Sequence, residues 1–391
     1  MLIRRCAMLY FEAREDVEFD LALLVAGGTG LARTQRCLAL APHLEQPVEI
    51  DATAQAWLAQ LSPVEWTEVE DGSDTAAQAA PLLQEGLIFR HDAPVTSHAV
   101  REASLRESYW HPLAAVMHAF SRWEGVDAVR NMQESQTETA AQMRQTLGPP
   151  PAEASTRWAQ DGRELPLVQD DGFDELLASR VTCRNFDGSR AVPLELFAKT
   201  LQRTFGATGA YRVGEDLVFL KKNVPSGGGL HPTEAYLVVQ NVEGLDPGLY
   251  HYRGDQHRID PVAGPVTLNR DWVMDMLGQQ HWFADAHVLV VLASRFDRTF
   301  WKYRRHAKSY RVVTLEAGHL SQTLYLSATK VGMGAFITAA INEKAIERAF
   351  SLDPVTDGVL AVCGFGWRAA TMTTTELDPA GVIWNLEDRA G

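Results

Sequence analysis

An uninterrupted apolar run, Val288-Leu289-Val290-Val291-Leu292, narrows the possible folds more than any other segment of the chain. Successive residues of a strand point to opposite faces, so a run that is apolar at every position needs cover on both sides. It belongs in the middle of a sheet, with packed layers above and below. The neighbouring sequence alternates helix and strand signals in agreement. Behind Pro193, apolar side chains fall at 194, 197, 198, 201 and 205 and stop at Gly206, which predicts an amphipathic helix with proline at its start. Residues 234–239 read as a strand, 315–331 as a helix, 334–337 as a strand, 343–350 as a helix and 358–363 as a last strand. The expected class is α+β, with one mixed central sheet flanked by helices.

At about 100 to 200 residues per domain, 391 residues imply more than one folding unit. Residues 134–166 turn polar and small and contain Gly148-Pro149-Pro150-Pro151, which a packed helix or strand would not accept. The expected division is therefore a first domain over 1–135, a linker over 136–169 and a second domain over 170–391. In the first, residues 51–61, a Ser62-Pro63 break and residues 77–88 ending in Gly86-Leu87-Ile88 suggest a small winged-helix-like module. Thirty-six Lys and Arg against 50 Asp and Glu give a formal charge of −14, which opposes nucleic acid and anionic membranes. A peptide groove is thus the better expectation for that module than DNA. Ala26-Gly27-Gly28-Thr29-Gly30 lacks the G-x-G-x-x-G order of a dinucleotide site and reads as a turn.

Four scattered cysteines, with no spacing suited to zinc, read as reduced thiols, and no metal is expected. His111 and His118 lie seven apart in an apolar stretch and read as core histidines. The start of the chain lacks the apolar run of a secretory signal, and no segment reaches about 18 apolar residues, so a cytoplasmic location is expected.

Three clusters carry chemistry. Arg180-Val181-Thr182-Cys183-Arg184-Asn185-Phe186 sets two guanidinium groups around a hydroxyl, a pattern that can grip a phosphate. Pro225-Ser226-Gly227-Gly228-Gly229-Leu230-His231-Pro232 strips away three side chains just before a strand, where backbone can approach a flat ligand. Residues 301–311 hold Lys302, Arg304, Arg305, Lys308 and Arg311, and like charges with partial burial would lower the Lys302 pKa toward that of a general base. Paired surface arginines, a hairpin turn and a solvated basic face are the alternatives left open for each in turn.

Taken in order, these segments resemble the flavin-dependent nitroreductase superfamily, and within it the SagB-type dehydrogenases that oxidise ribosomal peptides. Arg180, Thr182, Arg184 and Phe186 fall on its R-x-[ST]-x-[RK]-x-F signature, and residues 225–232 are similar to its P-S-x-x-x-x-[QH]-P segment, which in that family reaches the flavin ring from the partner subunit. Residues 247–252 and Glu316-Ala317-Gly318-His319 with Gln322 resemble segments of the SagB-type branch.

The resemblance implies FMN, held by Arg180, Thr182, Arg184, Pro225, Ser226, Gly227, Gly228 and Gly229, by Ala339 and Ala340 facing the reactive nitrogen, and by Arg368 after the last strand. It implies Lys302 and Tyr303 as the catalytic pair, and a homodimer sharing the flavin pocket. Its substrate would be a precursor peptide oxidised from azoline to azole, with a cyclodehydratase or other maturation enzyme as a further partner. Two other functions fit the same residues: an NAD(P)H-dependent reductase of nitro, quinone or dehydroamino acid groups, and a non-catalytic scaffold that recruits peptide.

Overall fold

A computed structural model describes residues 1–155 and 162–384. The chain folds as two compact units, one of Met1–Arg122 with Phe296–Arg311, the other of Trp123–Arg295 with Val312 onward.

The second unit is built on a six-stranded sheet in the order Arg258–Pro261, Gly248–Arg253, Thr233–Val239, Val288–Arg295, Asp357–Trp367, Met333–Thr338. The apolar run sits at its centre, as its composition requires. Val288, Val290 and Leu292 join one core with Leu201, Phe205, Leu320 and Leu324. Leu289, Val291 and Ala293 join another with Val273, Phe336, Ile346 and Phe350. The two-residue period of a strand thus feeds two cores on opposite faces. Helices Leu194–Phe205 and Ser309–Thr329 cover the first face, and Arg270–Met276 and Glu343–Phe350 the second.

Every neighbouring pair of these strands is antiparallel. The parallel share of the mixed sheet expected from sequence is confined to isolated bridges, Thr182 with Ala335 and Val192 with Val242. The first matters for function, because it lays the segment holding Thr182 along the outer edge strand, with Cys183 N–H donating to Ala335 O at 2.8 Å.

The division of the chain differs from the sequence expectation at two places. Residues 123–135 fold with the second unit, because buried Asn342 accepts from Val126 N–H at 2.8 Å and donates to Val126 O at 3.1 Å, while Glu343 accepts from Trp123 N–H at 2.8 Å. Phe296–Arg311 folds with the first unit through aromatic contacts to Trp110. The expected linker also holds a helix, Ala140–Leu147, started by a Thr139 and Gln142 capping box and ended at Gly148 with φ 81°. Residues 156–161 of that linker lie outside the described residues.

In the first unit, Leu2–Arg5 pairs with Thr67–Glu68 and Ile88–Arg90, and the expected helices are Ala52–Gln60 and Asp74–Gln84. Ile3, Leu58, Leu82, Leu87 and Ile88 form its core. A second sheet carries a long hairpin, Tyr10–Phe19 with Leu31–Leu40, and the edge strand Val48–Ile50. The Gly27 to Gly30 segment is part of its connecting turn, with φ 85° and 70° at those two glycines. His118, on helix Pro112–Ser121, is a buried core histidine, stacked on Trp110 with Nδ1 3.2 Å from the Tyr310 hydroxyl. Its companion His111 stands at the N-cap without a capping bond. Among the described residues no helix is long and apolar enough to cross a membrane.

Candidate functional site

Two of the predicted clusters are tied to opposite ends of one helix, Ser309–Thr329. Near its C-terminal end Tyr325 gathers the first: the Thr182 hydroxyl lies 3.0 Å from the Tyr325 hydroxyl, and the Arg180 guanidinium sits 5.4 Å from the centre of its ring. Among the described residues no carboxylate pairs with Arg180. Its charge is therefore available to an anion.

The two other predicted guanidinium groups are differently placed. Arg184 donates from Nη1 to Thr375 O at 2.8 Å. Arg368 forms an ion pair with Glu376 and donates to Val181 O at 3.0 Å. Glu376 is fully buried and also accepts from Arg184 N–H at 2.6 Å, from Asn185 N–H and Nδ2, and from Trp384 Nε1. Arg368 thus braces the signature segment from behind, a role its sequence position did not disclose. Cys183, inside the signature, is pushed up to about 12 by burial.

Near the N-terminal end, Val312, Glu316 and His319 share one face of the helix and hold the glycine loop. A side chain at Gly227 would start 2.0 Å from Val312 Cγ1, so only glycine lets the loop lie this close. Gly228, Gly229 and His231 have φ of 70°, 69° and 48°, a left-handed path that glycine takes without strain. Glu316 accepts from Thr233 N–H at 3.1 Å and bonds the Ser226 side chain, whose hydroxyl accepts from His231 N–H at 2.9 Å. His319 Nδ1 lies 3.2 Å from Pro225 O.

Val312 and Tyr325 are thirteen residues apart, which at 1.5 Å per residue spans about 20 Å. A cation and a hydroxyl stand at one end, and an open glycine backbone at the other. A flavin nucleotide has an anionic tail and a flat ring, and Arg180, Thr182 and the loop are the residues that would hold such a group, within one chain or across two copies. The described structure lends Arg368 to that role only indirectly.

Burial holds the Glu316 carboxyl above its usual 4.5, against the lowering effect of its bonds to Ser226 and Thr233. Lys222 is pushed below its usual value by burial, with Glu234 and Glu316 as its nearest counter-charges. The folded protein therefore binds the Glu316 proton more tightly than the unfolded chain. The stability this contributes is full below 4.5 and is lost as the pH rises through the folded value. Glu316→Gln cannot ionise, so its stability relative to the natural protein should improve as the pH climbs from below 4.5 through that window. Melting curves of the two proteins over a pH series check this; parallel curves would contradict it.

Ala339 is exposed and Ala340 half-buried, at the end of edge strand Met333–Thr338. Ala340 N–H donates to the Thr338 hydroxyl at 3.2 Å, and Gln280 Nε2 donates to Ala340 O at 2.6 Å. Lys302 and Tyr303 lie in the first unit. The partial burial expected of Lys302 is not found in the chain: its side chain is exposed, with Nζ 5.5 Å from the centre of the Tyr303 ring.

Residues 177–367 match the nitroreductase family. A protein of Methanocaldococcus jannaschii named as a nitroreductase is 28% identical over 48% of this chain and 89% of its own length. The trifolitoxin-processing protein TfxB of Rhizobium leguminosarum bv. trifolii is 30% identical over 39% of this chain, and the microcin B17-processing protein McbC of Escherichia coli is 28% identical over 38%. The matched stretches span 40% and 54% of those two processing proteins.

The sheet, its two helical layers and the signature at its edge define a nitroreductase-like fold over the residues that match that family.

Proposed function

We propose that this protein is an FMN-dependent dehydrogenase that oxidises a ribosomally made precursor peptide by two electrons, converting an azoline ring to an azole. The observation that carries the reading is the single helix tied to both the Arg180 and Thr182 pair and the glycine loop, in a chain similar to two peptide-processing proteins. FMN, when bound, supplies the two-electron acceptor for hydride leaving the ring carbon.

The chain's own residues do the rest. Arg180 and Thr182 hold the phosphate end, and the loop of Pro225, Ser226, Gly227, Gly228 and Gly229 offers backbone to the flat ring. Lys302 or Tyr303 takes the proton from the adjacent carbon, so that proton and hydride together account for the two hydrogens lost. Ala339 and Ala340 border the reacting edge, and Arg368 keeps the signature segment in place through Glu376.

A second copy of the chain belongs to this reading. Leu315 is 62% exposed and Gly318 has nothing within 4 Å of its would-be side chain, on the outer face of a helix whose opposite face is packed in the core. An interior glycine costs a helix about 1 kcal/mol against alanine, and among the described residues none packs close enough to Gly318 to need that space. A homodimer that packs on this face would. The reading places the protein in the cytoplasm with a cyclodehydratase upstream.

A reductase running on NAD(P)H is the second reading, favoured by the relative named as a nitroreductase that matches over 89% of its length. Incubation with FMN and a thiazoline- or oxazoline-containing peptide distinguishes the two. Mass spectrometry should show the peptide lighter by two hydrogens. Rapid NAD(P)H consumption with a nitroarene and no peptide change would establish the reductase, and failure to take up FMN would leave only a scaffold.

A further inference from the structure

The stretch that carries Lys302 and Tyr303 leaves the central sheet after strand Val288–Arg295 and returns to the long helix at Ser309. In between, it is built into the first unit. Phe296 and Phe300 are fully buried and close on Trp110, with ring centres 4.5 and 4.7 Å away. Tyr310, at the other end of the stretch, lies 5.8 Å from the same ring. Trp110 itself is 1% exposed and stacked on His118, which also reaches the Tyr310 hydroxyl.

The middle of the stretch is fastened by the preceding residue: Arg305 N–H donates to Tyr109 O at 2.8 Å, and the Arg304 guanidinium covers the Tyr109 ring at 4.3 Å. Lys302 and Tyr303 N–H both turn back to Thr299 O, at 3.2 and 3.1 Å. Both ends and the apex are therefore held by Tyr109 and Trp110, while the Lys302 side chain projects outward.

We propose that the first unit serves as the mount for the Lys302 and Tyr303 segment, with Trp110 as the positioning residue that fixes its backbone path. The proposal rests on the reading of Lys302 and Tyr303 as the proton-accepting pair. Buried aromatic pairs contribute beyond their area and have preferred geometries, so one ring shared by three partners sets where the segment lies. A base displaced by about 1 Å loses on the order of a hundredfold in rate. Trp110→Ala should therefore lower kcat for peptide oxidation by about tenfold to a hundredfold with little change in KM, and leave FMN absorbance intact.

Trp110→Phe, which keeps an aromatic ring, should restore most of that rate. Hydrogen exchange gives a reading that does not depend on turnover: in Trp110→Ala the amides of residues 299–309 should lose protection while those of strand Val288–Arg295 keep it. Unchanged exchange in the segment overturns the proposal. So does faster exchange with an unchanged kcat, since the segment would then be free of the chemistry. A natural protein that binds FMN and oxidises no peptide refutes the proposed function instead, and exchange alone then decides whether Trp110 holds the segment.

Discussion

Lys302→Ala and Tyr303→Phe should each reduce peptide oxidation by about a hundredfold to ten-thousandfold, the range contributed by a positioned general base. Both variants should still purify with FMN, because neither residue belongs to the unit that holds Arg180, Thr182 and the glycine loop. If Lys302 is the base, Lys302→Ala loses more of the rate than Tyr303→Phe, which keeps the amine in place. Full peptide oxidation by both variants would remove this pair from the chemistry.

Glu376→Ala should be the most destabilising single change in the candidate site. The carboxylate is fully buried and serves five donors: two backbone amides, the Asn185 amide, the Arg368 guanidinium and the Trp384 indole. Removing it leaves the Arg368 charge, itself largely buried, without a counter-ion. Breaking such a pair costs about 3 to 5 kcal/mol, which lowers Tm on the order of 10 °C for a unit of this size. FMN binding should weaken in parallel, since Val181 and Arg184 on either side of Thr182 lose their fixings. Glu376→Gln keeps the shape and one acceptor and should fall between. Calorimetry and flavin titration on the three proteins check the order; an unchanged Tm in Glu376→Ala would contradict it.

Much of the second unit could be read locally. The run 288–292 announces a central strand because no other environment covers both of its faces, and helix Leu194–Phe205 follows from its spacing between Pro193 and Gly206. The signature and the glycine loop are contiguous, so they too are visible in sequence. What escaped reading depends on contacts between distant segments. Glu376 follows the uncharged Thr373-Thr374-Thr375, with no periodicity, and its partners Arg184 and Asn185 lie about 190 residues earlier.

The same holds for Phe296–Arg311, whose membership of the first unit is decided by Trp110 and His118. The hairpin Tyr10–Phe19 with Leu31–Leu40 was hidden by its charges. Arg36 bonds Asp16 at 2.9 Å and Glu49 at 2.7 Å, and Arg33 pairs with Glu15, so cross-strand ion pairs stand where apolar alternation would signal a strand. Helix Ala140–Leu147 was masked by the prolines that follow it.

The central claim is that peptide oxidation and flavin reduction are one event in this protein. An anaerobic single turnover tests it most directly: FMN-loaded protein is mixed with an azoline-containing peptide without NAD(P)H, and visible absorbance and peptide mass are followed together. The account predicts that the yellow colour bleaches as one peptide per flavin loses two hydrogens. Colour that persists with the peptide, yet bleaches at once on addition of NAD(P)H, would contradict it.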